Sequence, residues 1–487
     1  MKDHTLDYII IAAYLIGIAV FGIISGGKQK SVKDYFLGSK KVPWWAVCFS
    51  IVAAETSTLT FISIPGLAYI ANLNFLQVTF GYLLGRIVVA TVFLPAYYKG
   101  ELKTAYTYLE TRFGGKTRSF ASIVFLFTRT AADGVRLAAT AIPLYLMISM
   151  NEATAIVIIA CVALIYTYTG GVKGVIWVDV IQMFIYLGGA VIAAIYLIHI
   201  LPGGWSSVIN AASAGNKFQI FNLGFDNGFA GFFSQPYTLI GGIVGGAFLS
   251  MASHGTDQLI VQRLLTTKDL KESKKAVIGS GIIVIIQFAV FLMVGVMLYA
   301  YFGTLDFAKI GITKPDEVFP KFIIDVLPTG LTGVIIAGLF AAALSTLAGS
   351  ISSLSSSTMM DIYIPFFGKS NDEKKQLKVS RIFTVIWAAL LTLSAFFFMT
   401  SPRSVVEIAL SIASFTYGGL LGTFLIGIFI KKAKQEDALA GFVAGIFIMI
   451  TVISLKLVAW TWFTLVGVLA ALLVAKLLSL LSKENDL

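Results

Sequence analysis

A chain of 487 residues that is 57% hydrophobic and only 13% charged is too apolar to dissolve in water, since soluble proteins carry about a quarter charged residues. Its mean hydropathy of +0.88 also excludes a disordered, collagen-like or disulfide-stapled chain. The two cysteines, Cys48 and Cys161, sit inside apolar runs, and His4, His199 and His254 lie far apart, so neither a disulfide framework nor a zinc or haem centre is expected.

A membrane-crossing helix needs about 20 apolar residues. Thirteen such stretches follow one another, near 6–25, 44–71, 75–98, 119–149, 154–169, 175–201, 231–262, 276–303, 329–361, 382–400, 404–430, 438–457 and 461–481. The chain is therefore expected to be an all-α polytopic membrane protein. The first stretch is expected to stay as a helix rather than to be cleaved as a signal peptide. Lys2, Asp3, His4 and Asp7 do not make a basic leader, and no small-residue cleavage site follows.

The net charge of +11 would suit nucleic acid, but its placement suits a bilayer. Alternate connections, around 26–43, 99–118, 170–174, 263–275, 362–381, 431–437 and 482–487, hold 25 of the 36 Lys and Arg residues, and the opposite set holds 7. This is the positive-inside bias. It predicts an N-terminus outside and a C-terminus in the cytoplasm of a plasma (inner) membrane. Asn222 then faces out and Asn371 faces in. The longest polar connections, about 202–230 and 304–328, are both on the outer side.

Charged residues at membrane depth are costly and mark sites, pathways or internal pairs. The run Ala53-Ala54-Glu55-Thr56-Ser57-Thr58-Leu59-Thr60-Phe61 interrupts the second stretch near its middle, with Pro65-Gly66 shortly after. It reads as an unwound turn whose carbonyls and hydroxyls suit a cation; the alternative is an intact helix with back-bonded hydroxyls. A second hydroxyl-rich run, Ala341 to Ser350 with Ser345-Thr346 at its centre and continuing through Ser352, Ser353 and Ser355 to Thr358, offers more oxygen ligands, or else simply close helix packing. Arg129, Asp133 and Arg136 share one helical face. They form either a self-neutralising triad or a surplus cation for an anionic solute. Asp179 and Glu55 are candidates for coupling or gating, and a pair between Glu55 and Arg86 has no support from spacing.

At this point the chain resembles the sodium:solute symporter family. The resemblance rests on Asp34-Tyr35-Phe36-Leu37-Gly38, the break with Ile64-Pro65-Gly66, Gly170 to Gln182, Gly255-Thr256-Asp257-Gln258 with Val261-Gln262-Arg263, and Ser345-Thr346 through Met360-Asp361-Ile362-Tyr363. It implies a LeuT-type fold of five helices (44–201) repeated with inverted topology (231–430). One extra helix (6–25) precedes them and two (438–481) follow. It implies a sodium site made by the carbonyls of Ala53, Thr56 and Ala342 with the hydroxyls of Ser345 and Thr346. The second sodium site of some relatives is not expected, because its serine positions read Ala348 and Gly349. The carboxylate-binding arginine of sialic acid symporters aligns with Ala132, between Arg129 and Arg136. Sugar-contacting positions read Leu59, Thr60 and Ser253, which argues against a galactose-like solute.

The expected function is a sodium-coupled symporter, not an enzyme, importing a small polar organic solute, with Na+ as coupling ion. The solute is expected beside Ser57, Thr60, Phe75 and Thr79, with Arg129 and Arg136 for a carboxylate. The chain is expected to act as a monomer in the lipid bilayer, without nucleic acid. The rival readings are a proton-coupled or uniport carrier on the same fold, a membrane-embedded transferase, and a channel.

Overall fold

The computed structural model describes residues 4–100, 102–148, 150–225, 228–368, 372–399 and 405–484. No strand occurs among them. A bilayer gives backbone amides no water to bond, so each segment must satisfy its own. α1 spans Thr5–Gly26. α2 (Trp44–Glu55) and α3 (Thr58–Ile70) form one crossing bent by 66°. α4 (Leu76–Val88) continues through a wider turn at Val89–Phe93. Next come α5 (Gly115–Ile148), α6 (Glu152–Ile200), α7 (Gly246–Gly255), α8 (Gln258–Leu264) and α9 (Leu270–Phe302). α10 (Leu331–Ser357), α11 (Glu373–Phe398), α12 (Val405–Phe429), α13 (Gln435–Ser454) and α14 (Phe463–Glu484) complete the set.

Among the described residues, eight helices are long and apolar enough to cross a membrane, and nine if α2 and α3 count as one. The thirteen stretches read from the sequence also include both halves of α6 and three segments that this criterion leaves out. Those are α5, with Arg129, Asp133 and Arg136 in it, the short α7, and α12, whose apolar part is Thr416–Phe429. The sequence predicts a loop at 170–174, and the structure has a kink there instead. α6 is 49 residues long, about 73 Å of helix and more than twice a hydrocarbon core. Gly171 breaks it with φ 56° and ψ −163°, angles open to glycine. A Cβ at this position would lie 2.7 Å from the Tyr35 carbonyl oxygen.

α10 is the centre of the molecule. Its span is 94% buried, against 22% for α1 and α11 and 28% for α14, which face outward. Small residues from Ala341 to Gly349 let α10 pack against α2, α3, α5 and α6 at once. Its N-terminus is capped from α1: the buried Asp7 carboxylate accepts the amides of Gly330 (2.7 Å) and Gly333 (2.8 Å), groups that a helix start leaves without partners.

The connections 202–225 and 304–328 fold over one end of this core, where the Tyr69 hydroxyl donates to the Thr304 carbonyl and the Tyr69 carbonyl accepts from Lys217. Lys217 is buried, donates to the Tyr69 carbonyl at 2.7 Å and lies 4.3 Å from the centre of the Tyr299 ring. Burial lowers its pKa. Burial raises the carboxyl of Asp316, so its ionised form opposes folding at neutral pH, and the penalty fades as pH falls through the raised value. Asp316→Asn should therefore raise the melting temperature slightly at neutral pH and change nothing in acid, as a pH series of thermal melts will test.

Candidate functional site

α2 ends because Thr56 (φ −89°, ψ 99°) and Ser57 (φ −86°, ψ 167°) are extended. Ser57 then caps α3, accepting the Thr60 amide at 3.4 Å. Thr56 returns both its amide (3.1 Å) and its hydroxyl (2.8 Å) to the Val52 carbonyl. Gln287 of α9 donates to the Thr56 hydroxyl at 2.6 Å and accepts from the Tyr186 hydroxyl at 3.2 Å. The chain leaves the helix here, so the carbonyls from Ala53 onward have no helical amide ahead of them. Two helix ends of opposite polarity meet at this point: carbonyls from α2, which suit a cation, and amides from α3, which suit an anion.

α10 faces this break. Thr58 donates to the Leu339 carbonyl at 3.2 Å, one turn before Ala342. The Thr346 hydroxyl back-bonds to Ala342 at 3.1 Å. The Ser345 hydroxyl donates to Asp179 Oδ1 at 2.6 Å. A hydroxyl that donates its proton to a carboxylate keeps its lone pairs, so Ser345 still has oxygen to offer a cation. Asp179 Oδ2 accepts from Ser50 (2.5 Å) and from Arg263 Nη2 (3.0 Å). Gly349 makes room for that guanidinium; a Cβ there would lie 2.6 Å from Arg263 Nη2.

A small pocket joins the break to α5 and α10, with Ser57, Thr58, Asp133, Arg136, Thr140, Ala343 and Thr346 on its walls. The Arg136 side chain keeps 24% of its surface open, whereas those of Arg86, Arg129 and Arg263 keep 0%, 7% and 2%. Among the described residues, Arg136 is held through one nitrogen, Nη1, which donates to Asp133 at 2.6 Å. The remaining Asp133 oxygen accepts from Ser350.

The fold corrects the charge count made from the α5 face. Arg129 is not a surplus cation: it pairs with Asp257, 128 positions away, and its contact with Asp133 is longer, at 3.5 Å. Two arginines thus meet two aspartates. Glu55 and Arg86, which spacing does not connect, form an ion pair, with Arg86 also bonded to Ser280 at 2.9 Å and His254 Nε2 3.7 Å from Glu55. Thr60 adjoins Ser57, hydroxyl to hydroxyl at 3.4 Å. Phe75 and Thr79 are not among the residues lining the cavity. Phe75 stacks on Phe288 at 5.0 Å beside Tyr237 and Trp460, and the buried Thr79 hydroxyl returns to the Leu76 carbonyl at 2.8 Å. Gln287 joined the site only through the fold, its one sequence signal being a polar residue within an apolar run, whereas Asp257 and Ser350 stood in motifs read from the sequence without a role assigned to them.

A broken helix, a small-residue helix facing it and a pocket between them with Asp133 and Arg136 on its walls are the plan of a secondary transporter. Residues 35–445 match the sodium:solute symporter family, and the chain belongs to that family. It is accordingly a sodium-coupled symporter of a small solute and not an enzyme. It is 29% identical over 445 residues to the sodium/sialic acid symporter SiaT of Proteus mirabilis, covering 91% of this chain and 88% of that one. It is 28% identical over 447 residues to human sodium-coupled monocarboxylate transporter 1, covering 90% and 72%. Its fold is LeuT-type. It superposes on the substrate-bound outward-open state of a Na+-coupled sialic acid symporter with a TM-score of 0.87, over 98% of each chain at 26% identity. Mhp1, a nucleobase-cation-symport-1 family transporter, shares the fold alone, with a TM-score of 0.57 at 11% identity over 90% of this chain and 92% of its own.

Proposed function

We propose that the protein imports a small organic anion carrying one carboxylate, together with one sodium ion per cycle. The observation that carries this reading is the cavity where the half-open Arg136 side chain meets the amide end of α3. The amide end of α3 favours an anion, and the Arg136 guanidinium, held by Asp133 through Nη1, has further N–H groups that can pair with a carboxylate. Ser57 and Thr60 supply further hydroxyls at that end. Phe75, just before α4, and Thr79, within it, act on the route to the cavity rather than in its wall.

Sodium is held by the carbonyls of Ala53, Thr56 and Ala342 and the hydroxyls of Ser345 and Thr346. These are hard oxygen donors on both sides of the break. Asp179 orients the Ser345 hydroxyl, and the Glu55–Arg86 pair anchors the end of α2 against α4, so both act in coupling. Sodium joins α2 to α10 and favours the outward-facing form, because a ligand shifts an equilibrium only toward the state it binds better. The two repeats are 44–201 and 231–430.

This stoichiometry has an electrical consequence. A sodium ion moved through 100 mV gains about 2.3 kcal/mol, but a monoanion moving with it cancels the charge. Uptake in proteoliposomes should follow an imposed sodium gradient and be indifferent to an imposed inside-negative potential. Potential-stimulated uptake would reject one sodium per monoanion.

The basic connections support an N-terminus outside and a C-terminus in the cytoplasm of the plasma (inner) membrane. Asn371 lies outside the described residues, so the exposed Lys271 serves as the inner probe. With the exposed Cys161 replaced by serine, Asn222→Cys should react with an impermeant thiol reagent on intact cells and Lys271→Cys should not. Equal labelling of the two would reject this orientation.

A further inference from the structure

A second small pocket lies beside the first along α5, with Thr128, Arg129, Asp257 and Tyr417 on its walls. Arg129 and Arg136 stand two turns apart on α5, about 10 Å. Arg129 is the nearer to the Gly115 end, which leaves the basic 99–118 connection. The second cavity is therefore the deeper one toward the basic side. On the wall of this second pocket, Asp257 Oδ2 accepts both the Arg129 guanidinium and, at 2.8 Å, the Tyr417 hydroxyl. Its other oxygen accepts the Leu259 amide at 2.9 Å and so caps α8. One carboxylate thus ties α5, the α7–α8 break and α12 together, and Arg129 and Asp257 are both buried.

We infer that Arg129, Asp257 and Tyr417 form a latch on the transport path, closing the way from the solute cavity to the cytoplasmic side. A buried ion pair resists separation until its charges are solvated or otherwise partnered. Parting α5 from the α7–α8 break opens the first cavity into the second, whose polar walls then receive the freed groups. The latch rests on the proposed position of the solute cavity but not on the chemistry of the solute, and Arg129 serves here as a gate rather than a solute ligand.

The test uses the full chain in inside-out vesicles, with Cys48 and Cys161 replaced by serine and Leu137→Cys as a reporter in the first cavity. An impermeant thiol reagent is added in sodium without solute. Asp257→Asn keeps the α8 cap and removes the charge partner, so labelling from the cytoplasmic face should rise about tenfold. Tyr417→Phe keeps the ion pair, and the rise should be smaller, about threefold. Combining Arg129→Asp with Asp257→Arg should return labelling toward the starting rate. Unchanged labelling in Asp257→Asn overturns the latch. If that variant does not fold, unchanged labelling in Tyr417→Phe does so. A rise seen from the outer face alone overturns it as well. Loss of carboxylate uptake in Arg136 variants with no labelling change in the latch variants would leave the solute reading standing and remove the latch.

Discussion

Arg136→Gln should lower sodium-driven uptake of the transported carboxylate by roughly a hundredfold, the scale of losing one partner from a buried charge pair. Arg136 is the arginine whose guanidinium faces the cavity with nitrogens to spare. Arg136→Lys should recover part of the loss and no more, because an ammonium keeps the charge but not the planar fork. Arg129→Lys should leave apparent solute affinity near wild type, since that side chain is directed to Asp257. Uptake kinetics with folded yield for the three variants check this. Equal losses of affinity at Arg129 and Arg136 would return both to a shared structural role.

Ser345→Ala and Thr346→Ala should each raise the sodium concentration for half-maximal transport by about tenfold, the cost of one missing oxygen partner. The Ser345 change should be the larger. Its hydroxyl also donates to Asp179, which would keep only Ser50 and Arg263. Thr346 surrenders a back-bond within α10. Folded yield should hold, because alanine is well tolerated in a helix. The Hill coefficient for sodium should stay near 1, since Ala348 and Gly349 add no hydroxyl and Gly349 gives its space to the Arg263 guanidinium. Unaltered sodium dependence in the double variant would misplace the site.

The helical plan and the break were legible in the sequence because both are local. Composition alone marks a run such as Ala53–Phe61 as unfit for a lipid-facing helix, and the chain bends there by 66°. The Gly170–Gly174 segment was legible only as an interruption: the sequence does not tell a short loop from a kink, which depends on the left-handed geometry of Gly171. Charge pairing was the least legible. Periodicity relates Arg129 to Asp133 on one helix, but the stronger partner, Asp257, comes from a distant element, as Arg86 does for Glu55. Sequence spacing thus gave α5 an excess cation that the fold removes, and only side-chain exposure singled out Arg136 from its neighbours.

The central claim is that sodium and a carboxylate bind as a linked pair, and thermal stabilisation of the purified protein measures it most directly, since a ligand of the folded state raises the melting temperature by mass action. A panel of small monocarboxylates, each with its neutral amide, is tested in sodium and in choline at equal ionic strength. The account predicts a rise with a carboxylate in sodium, none with the matching amide, and little or none in choline. The same stabilisation in choline, or by the amide as by the acid, would contradict it.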